Sequence, residues 1–248
     1  MEIIVAMKQV PDLQQVRLKN KEAVLEGVPL TFGDIDKRAL EAAVQLRDTH
    51  EGTVHLLSIG NEELEDTAKE ALAGGADAAT LLISDEFADL DSAQVAQYLA
   101  AAIKDMDDYD AVLFGEASGD NYSGQVASRV AAILGYPLIG YAQKISYENG
   151  SVTVECSYES KVETVVAACP AVISVVSDIA EPRIPAVTAI LKAGKKPKEI
   201  MDETDVGIDE ASAVIETLSA LAPDDNRKCE VVDDVGALIG ALKAEKIL

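Results

Sequence analysis

Short, nearly unbroken apolar runs alternate with stretches of helical spacing through the first 114 residues. That alternation limits the fold more than any other feature. The runs are "EIIVAM" (2–7), "TVHLLSI" (53–59), "ATLLI" (79–83) and "AVLF" (111–114). Runs apolar at odd and even positions alike read as parallel strands covered on both faces. Between them lie "DIDKRALEAAVQLRD" (34–48), "NEELEDTAKEALAGG" (61–75) and "DSAQVAQYLAAAIKD" (91–105). Each opens on Asp or Asn, a residue suited to capping a helix start, and the second closes at Gly74-Gly75. Ala39, Leu40, Ala43, Val44 and Leu46 give the first helix a single apolar face. Strand alternating with helix means βαβ units with right-handed crossovers and a parallel sheet.

After Pro137 the pattern changes. Asn149-Gly150, flanked by alternating β-formers, signals a hairpin, so antiparallel strands should extend the parallel sheet. A proline-punctuated connection with a short helical turn and a lysine cluster follows (181–200), and a helix over 235–247 closes the chain. The expected fold class is α/β. It is a Rossmann-like, mostly parallel sheet with helices on both faces, an antiparallel hairpin extension and an extended C-terminal arm. A composition 48% apolar but only 4% aromatic favours such a fold over an aromatic-rich β-sandwich. The chain of 248 residues divides into an α/β domain over 1–200 and an acidic arm with a terminal helix over 201–248.

A formal charge of −23 argues against nucleic acid and anionic membranes as partners. Residues 199–234 hold twelve acids against two bases, Arg227 and Lys228. Such a stretch is either a solvated tail or an arm that wraps a partner subunit. Cys156, Cys169 and Cys229 lack metal-ligand spacing, and the first two sit in strand-like runs that read as core. No metal site is expected. His50 and His55 join no carboxylate or cysteine constellation, and no residue pair looks catalytic. Without a signal peptide or an apolar run of membrane-spanning length, the expected location is cytoplasmic, with no membrane insertion.

The segment "FGEASGDNYSGQVASRVAAILGYP" (114–137) places a loop rich in Gly, Ser, Asp, Asn and Tyr between a strand and a helix. In open α/β sheets, ligands gather at the carboxyl ends of strands where strand order reverses, and helix starts there favour anions. Gly115, Gly119 and Gly124 let the backbone come close. Ser118, Asn121 and Ser123 donate hydrogen bonds, and Asp120 either caps the helix or takes a ribose hydroxyl. The loop lacks a P-loop's Gly-Lys-Ser/Thr ending, and the first turn, "AMKQVPD", has no dinucleotide fingerprint. On pattern alone it is a nucleotide cradle or a plain mobile connection.

Five separated motifs, "VAMKQVPD" (5–12), "DIDKRALEAAVQL" (34–46), "EALAGGADAATLL" (70–82), "GQVASRVAAILGYP" (124–137) and "EPRIPAVTAILKAGKKP" (181–197), occur in the order and spacing of electron transfer flavoprotein β-subunits. The resemblance covers residues 1–200. Glu116 stands where the family's commonest loop has Arg, and Asn121, Tyr122, Ser123 and Gly124 replace a Gly-Asp-Thr-Ala stretch. Losing the Arg removes one charged contact. The hairpin "ECSYESKVET" lacks the usual acid–Gly–Gly cluster. In its loop and in "AILKAGKKP" the chain is similar to the branch linked to nitrogen fixation and carnitine reduction, and an electron-bifurcating role is expected from that.

The resemblance implies a heterodimer in which this chain packs, partly through its arm, on an α-subunit. Mainstream members hold AMP in the β-subunit; bifurcating members hold FAD there, with NADH as electron donor. Nucleotide contacts carried over by motif are Ala6, Lys8, Gly33, Asp34, Ile35, Asp36, Ile59 and the loop Gly115, Glu116, Ala117, Ser118, Gly119, Asp120, Asn121, Tyr122, Ser123, Gly124, Gln125 and Val126. Each has a plainer reading: Ala6 and Ile59 as core, Asp36 as a helix cap, Lys8 as partner to a surface carboxylate. Val187 with Lys192, Lys195 and Lys196 would dock a flavin dehydrogenase or quinone-linked oxidoreductase, or else form a surface turn. Ferredoxin or flavodoxin would be the low-potential acceptor. Other readings are a carrier with a structural AMP and a non-redox nucleotide-binding sensor module.

Overall fold

The computed structural model describes all residues except 88, 107, 209, 210, 212, 225 and 226. In chain order its elements are β1 (Glu2–Ala6), β2 (Gln9–Pro11), β3 (Arg17–Lys19), β4 (Glu22–Val24), β5 (Leu30–Phe32), α1 (Asp34–His50), β6 (Thr53–Gly60), α2 (Leu64–Gly74) and β7 (Ala78–Ile83). Next come α3 (Ser92–Asp105), β8 (Ala111–Gly115), α4 (Val126–Leu134), β9 (Leu138–Glu148), β10 (Ser151–Tyr158), β11 (Lys161–Ala168) and β12 (Ala171–Val175). The chain finishes with α5 (Val187–Ala193), β13 (Lys198–Met201) and α6 (Val235–Ala244).

Nine strands form one sheet in the order β11-β10-β9-β12-β8-β1-β6-β7-β13. Every pairing is parallel except β9–β10 and β10–β11, so the expected mixed sheet and its antiparallel extension are present. From β1 the chain steps outward to β6 and β7, then returns to add β8 on the other side of β1. Strand order therefore reverses between β1 and β8, where Ala6 lies level with Phe114. A crevice opens beyond strand ends at such a reversal, because the connections leave them on opposite faces.

Side chains alternate across the sheet as parallel strands require. Ile3, Val5, Ala111 and Leu113 join a core with Leu40, Val44 and Leu72 of α1 and α2. Ile4, Ala6, Val112 and Phe114 join a second core with Leu99 and Ile103 of α3 and Val130 of α4. Each fully buried Leu or Ile contributes about 1.5–3 kcal/mol. The hairpin buries Val152, Val154 and Cys156 on one face and leaves Val162 and Val166 exposed on the other. Asn149 (φ 51°) and Gly150 (φ 74°) make its turn, where the positive φ angles match the strand twist.

Of the three expected helix caps, one forms. Asp91 caps α3 in a full capping box, but α1 begins after Gly33 and α2 after Glu63, neither with a side-chain cap. Asn61 instead closes a turn by accepting from the Glu63 amide (3.0 Å). Ile59 lies within β6, near its carboxyl end. The closing helix ends at Ala244, short of the expected 247, and none of its side chains is buried. No helix among the described residues is long and apolar enough to cross a membrane.

Candidate functional site

A cavity of about 490 Å³ occupies the crevice at the β1/β8 reversal. It is built from strand ends, the loop after β8, and two walls. Of the residues singled out in the sequence, Ala6, Lys8, Asp36, Ile59, Gly115, Glu116, Ala117, Ser118, Asp120, Asn121, Ser123, Gly124, Gln125 and Val126 line it. Gly33, Asp34, Ile35, Gly119 and Tyr122 do not. Tyr122 points outward, largely exposed, with its hydroxyl 3.4 Å from Glu116 Oε1. The walls were not among the sequence candidates. Pro11, Leu25 and Leu30 come from the stretch that contains the β2–β5 and β3–β4 ribbons, while Phe87, Leu90, Val95 and Leu99 come from the approach to α3 and its first turns. An apolar Leu90 and Val95 bracketing a helix cap were the available signal for the second wall.

Asp36 fastens the floor of the crevice. Its Oδ2 accepts from the Lys8 amide (2.8 Å) and its Oδ1 from the Gly115 amide (3.1 Å), tying the end of β1 to the end of β8. Burial pushes this carboxyl up to about 7, against the two amides and the Lys8 ammonium, which work the other way. Gly115 is required by this contact: a Cβ there would sit 2.5 Å from Asp36 Oδ1. Asp36 therefore neither caps α1 nor leaves its acceptors unengaged.

Lys8 Nζ bonds Asp120 Oδ2 at 2.6 Å, joining the first turn to the polar loop. Burial works to raise the Asp120 pKa. Hydrogen bonds from Lys8, Ser118 and the Asn121 amide outweigh it, and the carboxyl is held below its usual range. Gly124, at φ 62°, turns the chain into α4, and a Cβ would lie 3.3 Å from Glu116 O. The α4 start carries no side-chain cap, and Gln125, Val126 and Ala127 line the cavity there. First-turn amides have no intrahelical acceptor. Uncapped, they offer N–H donors and the positive end of the helix dipole to an anion. Arg129, absent from the sequence candidates, grips the Gln125 side chain (2.7 Å), and Ser92 reaches the same oxygen (3.4 Å).

The docking candidates lie elsewhere. Val187 is 72% exposed at the start of α5, beside exposed Ile184, Ile190 and Leu191. Lys192 and Lys195 are exposed, whereas Lys196 donates to Leu72 O (2.8 Å) and Ala76 O (2.5 Å) at the end of α2. Arg183 braces the segment by a bidentate pair with buried Glu41 (2.7 and 3.0 Å). Among the described residues, no cluster of three His, Cys, Asp or Glu is placed to hold a metal.

Residues 23–206 match the family model for the electron transfer flavoprotein domain. The chain belongs to the electron transfer flavoprotein β-subunit family. It is 36% identical over 220 residues to the electron transfer flavoprotein subunit beta of Megasphaera elsdenii, covering 85% of this chain and 82% of that one. The corresponding subunit of Bacillus subtilis is 32% identical over 215 residues, covering 86% and 83%. A caffeyl-CoA reductase-Etf complex subunit, CarD, of Acetobacterium woodii is 33% identical over 211 residues, covering 84% and 80%. The crevice just described thus belongs to a family of flavin-linked electron carriers.

Proposed function

We propose that this chain is the β-subunit of a heterodimeric electron transfer flavoprotein and that its cavity holds the adenine nucleotide half of FAD. The uncapped start of α4, opening into a cavity of about 490 Å³, carries this reading. The diphosphate would be held by first-turn amides of α4 and by Ser118 and Ser123, with Gly124 allowing close approach. Phe87, Leu90, Val95 and Leu99 supply apolar surface for the base. Lys8, now paired with Asp120, is the cation available to a phosphate. Glu116 in place of Arg leaves main-chain donors to carry most of the attraction.

When bound there, the flavin would supply the chemistry of taking two electrons from NADH and sending them singly, one to ferredoxin or flavodoxin and one to the α-subunit FAD. The chain's own part is to hold the nucleotide, fasten the crevice floor through Asp36 and present a docking surface. Val187, Ile184 and Leu191, with Lys192 and Lys195, form that surface for a flavin dehydrogenase or quinone-linked oxidoreductase. The likeness to a subunit named for a caffeyl-CoA reductase complex supports an acyl-CoA reductase or dehydrogenase as the kind of partner.

The other reading is a structural AMP in the same cavity, since the α4 start suits either phosphate group. Acid extraction and chromatography of the purified αβ pair separates the two. Two FAD per pair supports the proposal, one FAD with one AMP supports the alternative, and a β-subunit without adenine nucleotide refutes both.

A further inference from the structure

The acidic arm is tied to both walls of the cavity before it leaves the domain. Val206 and Ala211 are buried in the core under α3 and α4, which brings the arm across the first turn of α3. There Asp91 divides its carboxylate between two segments. Oδ1 accepts from the amides of Ala93 (2.7 Å) and Gln94 (2.9 Å), capping the helix. Oδ2 accepts from the amides of Val214 (2.6 Å) and Ile215 (3.1 Å), holding the arm. Gln94 Nε2 adds a bond to Ala211 O (2.8 Å). The side chains of Val214 and Ile215 stay exposed, so the main chain holds this strap while its apolar side chains face outward.

A second tie follows. Ala222 donates to Lys21 O (2.8 Å) in the β3–β4 turn, and the Lys21 ammonium pairs with Asp224. Each tie lands beside a cavity wall: Leu90, Ser92 and Val95 flank Asp91, and Leu25 follows β4. Burial works to raise the Asp91 pKa, but its backbone amides outweigh that and hold the carboxyl below the usual range, as an anion serving both segments needs.

We propose that Asp91 is a positioning residue that couples the seating of the acidic arm to occupancy of the nucleotide cavity. The coupling rests on the reading of that cavity as an adenine-nucleotide site. A ligand that orders Leu90, Ser92 and Val95 steadies the carboxylate that holds the arm. By linkage, a seated arm raises nucleotide affinity by the factor with which nucleotide tightens the arm. A partner gripping the outward-facing Val214 and Ile215 would therefore strengthen nucleotide binding without touching the nucleotide.

Asp91→Asn separates the two duties. Asn caps helices as well as Asp does, so its carbonyl keeps the helix start, while its NH2 group cannot accept from Val214 and Ile215. The full-length chain is followed by hydrogen exchange across 213–218, alone and saturated with AMP or FAD, with affinities from calorimetry. In the wild type, nucleotide should slow exchange at Val214 and Ile215 several-fold. Asp91→Asn should speed it roughly tenfold to a hundredfold, the worth of hydrogen bonds to a charged acceptor. Its melting midpoint should stay near wild type, its nucleotide affinity should fall by the factor of wild-type slowing, and nucleotide should no longer slow the arm.

Unchanged exchange at 214–215 in Asp91→Asn overturns the proposal. Should that variant not fold, the wild-type comparison with and without nucleotide decides by itself. A wild-type chain that binds nucleotide with no change in its arm defeats the coupling alone. A chain that binds neither nucleotide defeats the functional reading as well.

Discussion

Replacing Asp36 by Asn should change how stability depends on pH, in a direction set by burial. The free carboxyl has a pKa of 3.8, and the folded one is pushed up to about 7. The folded state thus holds the proton more tightly than the unfolded chain. The stability contributed by this proton is fully present below pH 3.8 and is lost as pH rises to about 7, by about 1.4 kcal/mol per unit and about 4 kcal/mol in all. Lys8 and Asp120 are the charged groups that also act on Asp36, with opposite signs, and both remain in the variant. Asn has no proton to exchange, so the variant loses this dependence. Its NH2 group would also meet one of the two amides donor to donor, a cost of about 1–3 kcal/mol at every pH. Urea unfolding of both proteins from pH 5.5 to 8.5 stays above the pI of about 4.3. The stability gap should favour wild type at pH 5.5 and narrow by about 2 kcal/mol by pH 8.5. A gap constant to within about 0.5 kcal/mol, where other carboxylates cancel between the two proteins, would refute the account of Asp36 as a buried group clamped by two amides.

Three further outcomes are expected. Gly124→Val places a branched side chain at φ 62° with its Cβ 3.3 Å from Glu116 O, and should weaken AMP or FAD binding about tenfold by calorimetry; unaltered affinity would separate the loop's shape from the site. Arg183→Leu strands the buried Glu41 carboxylate, whose low pKa reflects hydrogen bonds from Arg183 and Gln45 that outweigh burial, and should cost about 3 kcal/mol in urea at pH 7. That loss should shrink as pH falls below 4.5 and Glu41 takes up a proton, whereas a cost under about 1 kcal/mol at pH 7 would mean the brace bears no strain. Val187→Asp, on an exposed side chain, should leave the melting midpoint within about 1 °C while electron transfer to the partner dehydrogenase falls at least about tenfold; full transfer would move the docking surface elsewhere.

What the sequence disclosed, and what it withheld, follows from the range of the interactions involved. The strands β1, β6, β7 and β8 were legible because burial on both faces demands unbroken apolar runs, and the hairpin because Asn149-Gly150 meets a backbone requirement locally. The first α-helices were legible from spacing, but only one of their three caps was. Asp34 and Asn61 have the right chemistry one to three residues from the true starts, and only Asp91 has Gln94 three residues on to complete the box. The three-residue strands of the 9–32 stretch are too short to show a period. Asp36 bonds partners 28 and 79 residues away, and Asp91 partners 123 and 124 away. Nothing beside either residue in the chain signals those bonds.

Three helix starts surround the crevice, and their differences orient the proposed ligand. The first turn of α1 holds Asp34 and Asp36, so its positive end already has acids, and Asp36 takes the amides at the ends of β1 and β8. A diphosphate there would face carboxylates with those donors consumed. The start of α3 is closed by Asp91, whose carboxylate satisfies both capping amides. The start of α4 has no cap and opens into the cavity beside Gly124. On the proposed reading, an anion entering the crevice would be repelled by the two acidic starts and drawn to the open one at α4. In many dinucleotide folds the first strand–helix turn receives the phosphates; here the internal carboxylate of Asp36 takes the donors at the ends of β1 and β8, and the proposal therefore puts the phosphates at the start of α4. On that reading "AMKQVPD" needs no glycine, while the end of β8 and the loop after it hold three.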